Sequence, residues 1–196
     1  MDVMMPEMDG LTATREIRAN PDWRDLPIIS LMDCPGMMVG PEVEATALVR
    51  HCARMFNTGA NLSVPMFGVI VRKAYGLGVQ AMCGASSLVP FFSVAWPTAE
   101  FAGMNIEGSV KLGYRDDLAA IEDPAERLEF YETMVARGYE RARAVNAGLY
   151  FGIDDVIDPA ESRGWIVAGL PSLPPRPPPT GAHPHALDPA AAPAPR

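Results

Sequence analysis

Two short apolar runs, Pro27-Ile28-Ile29-Ser30-Leu31-Met32 and Met66 to Val71, have the length and composition of buried strands, and the stretch between them limits the folds open to the chain. In that stretch Ala45, Leu48, Val49, Cys52, Met55 and Phe56 recur at helical spacing, which predicts one amphipathic helix from about Pro41 to Asn57. The order β–α–β follows, and with it an α/β class. Downstream, Asp123-Pro124-Ala125-Glu126 and Asp158-Pro159-Ala160-Glu161 each combine an N-cap carboxylate, a proline at the first helical position and an acid three residues after the cap. Each predicts a helix start. The first helix carries Leu128, Tyr131, Val135 and Tyr139 on one face, and its charges make a solvated face.

The segment Pro171 to Arg196 holds ten of the chain's 20 prolines and almost no large apolar side chain, so it cannot offset the entropy lost on ordering. A disordered, Pro-rich tail is expected there, with His183 and His185 solvated inside it. The rest, within 196 residues that are 48% hydrophobic, suffices for one core. A net charge of -8 without clustered Lys and Arg argues against nucleic acid as a partner. No apolar run reaches the roughly 18 to 20 residues that cross a bilayer, and no secretory signal opens the chain, so a cytoplasmic protein without membrane association is expected. Cys34, Cys52 and Cys83 are odd in number and far apart, which suits buried thiols in a reducing compartment better than disulfides or a metal site.

The strongest local pattern is Val69-Ile70-Val71-Arg72-Lys73-Ala74-Tyr75-Gly76-Leu77-Gly78, a buried strand running into a glycine-containing turn, with Val79-Gln80-Ala81-Met82 able to open a helix. Such a turn aims backbone N–H groups at one point, where the helix dipole adds positive potential for an anion or a developing oxyanion. Taken alone, the pattern is equally a tight turn with no ligand.

Its neighbours give it context. Asp33-Cys34-Pro35-Gly36-Met37 precedes it, Ala95-Trp96-Pro97-Thr98-Ala99-Glu100-Phe101-Ala102-Gly103-Met104 follows, and Ile153-Asp154-Asp155-Val156-Ile157-Asp158-Pro159-Ala160-Glu161-Ser162-Arg163 comes last. In this order the four blocks resemble the carboxyltransferase (beta) subunit of biotin-dependent acyl-CoA carboxylases of the acetyl- and propionyl-CoA type. The first three resemble its Asp-X-Pro-Gly-Phe loop, Arg-Lys-X-Tyr-Gly turn and Ala-Trp-Pro segment; the last resembles its closing strand and helix. The resemblance implies a crotonase/ClpP-like α/β fold built from ββα units, with residues 26–170 as the C-terminal, biotin-side domain and 171–196 as the tail. It also implies that carboxybiotin, presented by a separate carrier protein, gives its carboxyl group to an acyl-CoA, with no biotin attached covalently to this chain.

On that resemblance the backbone N–H groups of Leu77 and Gly78 are the oxyanion donors for biotin, and Arg72, Lys73, Tyr75 and Gly76 are substrate-binding residues. No side-chain acid or base is required. Expected partners are acyl-CoA, the biotin carrier protein, an N-terminal carboxyltransferase half, a biotin carboxylase subunit and further copies in a homo- or hetero-oligomer. Leu77 stands where the family often has a second glycine, Met37 where phenylalanine is common, and Asn105 where glycine often follows methionine, a change that would disturb a tight turn. An inactive, oligomerising remnant or fusion protein is the alternative. Asp33, Glu100, Glu107 and His51 are read as capping, packing or surface residues.

Residues 1–25 are different in kind. Met1-Asp2-Val3-Met4-Met5-Pro6-Glu7-Met8-Asp9-Gly10, followed by Leu11 to Arg18, resembles a truncated two-component receiver domain, with Asp2 at the phosphoacceptor position. The family's Mg²⁺-holding acids lie upstream of that aspartate and none precedes it here, so Asp2 is expected not to work as an acceptor.

Overall fold

The computed structural model describes residues 10–23, 25–84, 89–150 and 152–173. Asp2, His183 and His185 lie outside them, as do most of the Pro-rich segment and the start of the receiver-like one. A helix α1 (Gly10–Ala19) leads into β1 (Ile28–Cys34), α2 (Pro41–Ala45), α3 (Leu48–Ala60), β2 (Met66–Tyr75) and α4 (Gly76–Met82). The chain continues through β3 (Phe92–Ala95), β4 (Glu100–Ala102), α5 (Ile106–Gly113), α6 (Arg115–Ala120), α7 (Pro124–Ala142), α8 (Ala144–Leu149), β5 (Asp155–Val156) and α9 (Ser162–Gly169).

The five strands form one parallel sheet in the order β1-β2-β3-β5, with β4 also pairing β2. β2 is the spine. Its first half pairs β3, Phe67 opposite Phe92, and its second half pairs β4, Lys73 opposite Glu100. Alternate side chains of β2 feed opposite faces, as the period of two requires. Phe67 and Val69 join Phe92, Val94 and Ile157 in one core cluster, while Ile70 and Ala74 join Met32, Cys83, Ala95 and Ile153 in another. Full burial of each large apolar side chain contributes about 1.5–3 kcal/mol, so the placement of β2 is set by its core.

Three expectations are corrected. The helix expected over 41–57 is two, because Ala47 adopts a left-handed conformation (φ 61) between α2 and α3. Its apolar stripe is only partly covered: Leu48, Cys52 and Phe56 are half-buried, but Val49 is 68% exposed. β1 is an edge strand covered on one face only: Met32 is buried, while Ile29 and Leu31, alternate residues that share the other face, are exposed. Of the cysteines, all free, Cys83 is buried whereas Cys34 and Cys52 are half-buried.

Both predicted helix starts are present. Asp123 caps α7 by accepting from the Glu126 N–H at 3.1 Å. Asp158 forms a full capping box with Glu161 over a short 3₁₀ turn that leads into α9. Asn105 also proves to be a cap: its side chain accepts from the Gly108 N–H at 2.7 Å, and its φ of -50 is ordinary for any residue, so the departure from glycine strengthens α5. Among the described residues no helix is long and apolar enough to cross a membrane, and no group of His, Cys, Asp and Glu is placed to hold a metal ion.

Candidate functional site

The carboxyl end of β2 is where the structure brings the first three sequence blocks together. Open parallel sheets place ligands outside the carboxyl ends of their strands, and here the chain turns sharply from β2 into α4. Gly76 makes the turn at φ 57, and an added Cβ would stand 2.7 Å from the Gly103 carbonyl oxygen, so only glycine fits. Gly78 is pressed from the other side by the loop after β1: a Cβ there would lie 2.6 Å from Cys34 Sγ and 3.1 Å from Gly36. The Asp33–Gly36 loop and the Gly103 segment therefore clamp the turn between them. The fourth block joins the start of the third, away from the turn, with Val156 pairing Ala95, the Trp96 indole N–H donating to Ser162 Oγ at 2.9 Å and Asp154 accepting from the Ser93 N–H at 2.6 Å.

Leu77 and Gly78 occupy the second and third positions of α4, where N–H groups have no carbonyl partner within the helix. Tyr75, the N-cap residue, supplies no side-chain cap. Among the described residues, no backbone hydrogen bond found outside the helices and strands ends on either N–H. Leu77 is 58% exposed, whereas Gly78 is buried against the loop after β1.

The four predicted substrate-binding residues fall into different roles. Arg72 is tied to Asp33, donating from Nε and Nη2 to Oδ2 at 3.0 and 2.8 Å, while the Lys73 N–H donates to Oδ1 at 3.1 Å. The carboxylate of Asp33 thus joins the ends of β1 and β2. The Arg72 guanidinium holds the Asp33 carboxyl below its ordinary value of 3.8, assisted by the Lys73 N–H against a small cost of burial. A depressed folded value means that this contribution is present above the ordinary carboxylate range and is lost as pH falls through the folded value. Asp33→Asn should therefore lower the urea midpoint slightly at pH 7, by an amount that shrinks as pH is taken down from the ordinary value of 3.8 through the lower folded one; a loss that does not change with pH would refute the pairing.

Lys73 places Nζ 5.9 Å from the centre of the Tyr75 ring. Tyr75 itself is buried, at 1% exposure, and its phenol donates to Glu100 Oε2 at 2.7 Å. Burial first, and then that hydrogen bond, pushes the phenol's pKa well above its usual range. A second pair stands beside it: Tyr139 donates to Glu107 Oε1 at 2.6 Å, which lowers the Glu107 carboxyl and lifts the Tyr139 phenol to about 12. Asn105 donates to the other Glu107 oxygen at 2.8 Å. The sequence reading took both glutamates for packing residues and missed these tyrosine partners, which are 25 and 32 positions away. The only sequence trace of the first pair is the strand register that sets Glu100 opposite Lys73, two residues before Tyr75.

Two hollows lie elsewhere. One of about 580 Å³ is lined by Phe91, Phe92, Asp154 and Trp165, and another of about 440 Å³ by Leu62, Met66, Val89 and Leu173. Both sit at the amino ends of β2 and β3, roughly 30 Å along the sheet from the turn at 3.3 Å per strand residue. Both hollows are lined mainly by apolar side chains, whereas the turn carries two consecutive uncapped N–H groups.

The fit at Gly78 gives a separable prediction. Gly78→Ala should cost about 1–3 kcal/mol from overpacking against Cys34 and Gly36, read as a lower urea midpoint. Adding Cys34→Gly should recover part of that loss, because it removes the nearer of the two obstacles; no recovery would place the strain elsewhere.

The carboxyl transferase domain profile matches residues 11–175, beginning within the segment that resembles a receiver. The propionyl-CoA carboxylase carboxyltransferase subunit of Haloferax mediterranei is 36% identical over 150 residues, which cover 74% of this chain and 28% of that protein. The methylmalonyl-CoA carboxyltransferase 12S subunit of Propionibacterium freudenreichii subsp. shermanii is 34% identical over 154 residues, covering 74% and 27%. Among solved structures, a single-chain, multi-domain long-chain acyl-CoA carboxylase superposes with a TM-score of 0.67 at 46% identity, covering 82% of this chain and 15% of that one. The transcarboxylase 12S crystal structure with methylmalonyl-coenzyme A bound gives 0.66 at 30% identity, covering 86% and 33%. The chain thus spans about a quarter of the length of the curated relatives it matches. With its parallel sheet, crotonase-type structural neighbours and matched profile, the chain belongs to the carboxyl transferase domain family.

Proposed function

We propose that residues 26–170 form the biotin-side half of a carboxyltransferase that moves a carboxyl group from carboxybiotin to an acyl-CoA of the acetyl or propionyl class. The observation that carries this reading is the clamped turn: two consecutive N–H groups, Leu77 and Gly78, lie in the uncapped first turn of α4 at the carboxyl end of the central strand. Biotin, held on a separate carrier protein, supplies the transferable carboxyl group and a ureido oxygen that becomes more negative as that group leaves. The chain's part is to bind that oxygen with donors fixed before the reaction, which requires no reorganisation in the transition state. Removing one such donor costs about 3–4 kcal/mol of barrier in comparable sites. Lys73, close to the turn and not engaged by Asp33 through its ammonium group, is the residue suited to attract the anionic reactant. Arg72 supports the turn through Asp33.

The CoA side is assigned to an N-terminal carboxyltransferase half, in an assembly that includes the carrier protein and a biotin carboxylase subunit. The test is carboxyl transfer with biotin and propionyl-CoA, with and without an added N-terminal carboxyltransferase half. Turnover only when the half is present is the expected result; a folded chain that remains inert with it supports the second reading, an oligomerising remnant.

A further inference from the structure

We infer that the part-buried hydrogen bond between the Tyr75 phenol and Glu100 is the device that holds the Leu77 and Gly78 donors in place, which makes Glu100 a positioning residue of the reaction. The inference rests on the assignment of those donors in the proposed function. Tyr75 is both the last residue of β2 and the N-cap of α4, so its backbone is the joint between the rigid sheet and the turn. Its ring is anchored among Ile106, Ala142, Val135 and Tyr139, under the roof made by α5 and α7.

Phenylalanine would fill the same volume. A buried phenol, however, must find a partner, and it has one in Glu100, the first residue of β4. Glu100 is itself fixed from two sides: its strand pairs with Lys73 of β2, and it forms an antiparallel bridge with Arg143 at the end of α7. Next to it the Ala144 N–H donates to the Ala99 carbonyl at 3.0 Å. The bond therefore adds a directed tie between the turn and β4, beside the sheet pairing of Tyr75 with Ala102 and the packing of its ring against α7. At Gly76 and Gly78 the turn has no side chain with which to hold itself, and no side chain caps α4. Tyr75 joins the donors to the core from the strand side, as Val79 and Met82 do from the helix side, and the direction of its phenol is set by Glu100. Donors of this kind lose effect steeply when displaced, since about 1 Å of misplacement can cost about a hundredfold in rate.

The test uses the full-length ¹⁵N-labelled chain and D-biotin. Tyr75→Phe and Glu100→Leu should each weaken biotin binding about tenfold, while Glu100→Gln, which retains a carbonyl acceptor for the phenol, should stay within about twofold of the parent. In the ligand-free proteins, the first two variants should lower the ¹H–¹⁵N NOE at Leu77 and Gly78 selectively, with Glu100→Gln restoring it. If Tyr75→Phe does not fold, Glu100→Leu, which leaves the ring in the core, gives the same reading. Unchanged NOE values and affinity in Tyr75→Phe or Glu100→Leu, or equal damage from Gln and Leu at position 100, would overturn the inference. A parent protein that ignores biotin would count against the proposed function instead, and the ligand-free NOE comparison would still decide the positioning role.

Discussion

Replacing Gly76 with alanine is expected to lower the unfolding free energy by about 2–5 kcal/mol and to abolish biotin-dependent transfer. Two costs add. At φ 57 an L-residue pays about 1–2 kcal/mol for its left-handed backbone. The new methyl group also meets a backbone oxygen, that of Gly103, at 2.7 Å, and overpacking of this kind costs about 1–3 kcal/mol. A side chain could rotate away, but this carbonyl belongs to the segment after β4 and moves only with it. Gly103→Ala is the matched control, because a Cβ there meets nothing within 4 Å. Urea denaturation should separate the two variants clearly; similar midpoints would show that the turn is not clamped as described.

The second large effect concerns the donor itself. An amide-to-ester exchange at Leu77, made by incorporating leucic acid, deletes one N–H and leaves the side chain intact. In a preparation reconstituted with an N-terminal half, kcat should fall by about 10²–10³, the usual consequence of losing one oxyanion donor. KM for the acyl-CoA should stay constant, since that ligand is assigned to the other half. Leu77→Ala should retain activity, because the exposed side chain is not the group in use and the backbone donor survives. Loss of activity in the alanine variant with retention in the ester would reverse the assignment.

What could be read in the sequence was local. The apolar runs that became β1 and β2, the proline-assisted caps at Asp123 and Asp158, and the glycines of the turn all act within a few residues of themselves. The break between α2 and α3 was not legible, because Ala47 has no intrinsic liking for the left-handed conformation it adopts. Exposure of Ile29 and Leu31 was hidden for another reason: apolar β-branched runs look alike at the centre and at the edge of a sheet. The order of the four blocks gave the family, but not which residues would meet at the site. Asp33 with Arg72, Tyr75 with Glu100, and Tyr139 with Glu107 are pairs made by strand register and helix packing, and each joins positions at least 25 apart. Asn105, which as a departure from glycine looked disruptive, became a cap because the chain there begins a helix instead of turning tightly.

The central claim is that the main-chain hydrogens of Leu77 and Gly78 bind the ureido oxygen of biotin. It is tested most directly by following backbone amide resonances as D-biotin is added to the intact chain. The account predicts saturable shifts centred on Leu77 and Gly78 and weaker ones at Gly36 and Gly103, which flank the turn. Silence at the turn, or a response centred on the Phe91 and Trp165 hollow at the other end of the sheet, would contradict it.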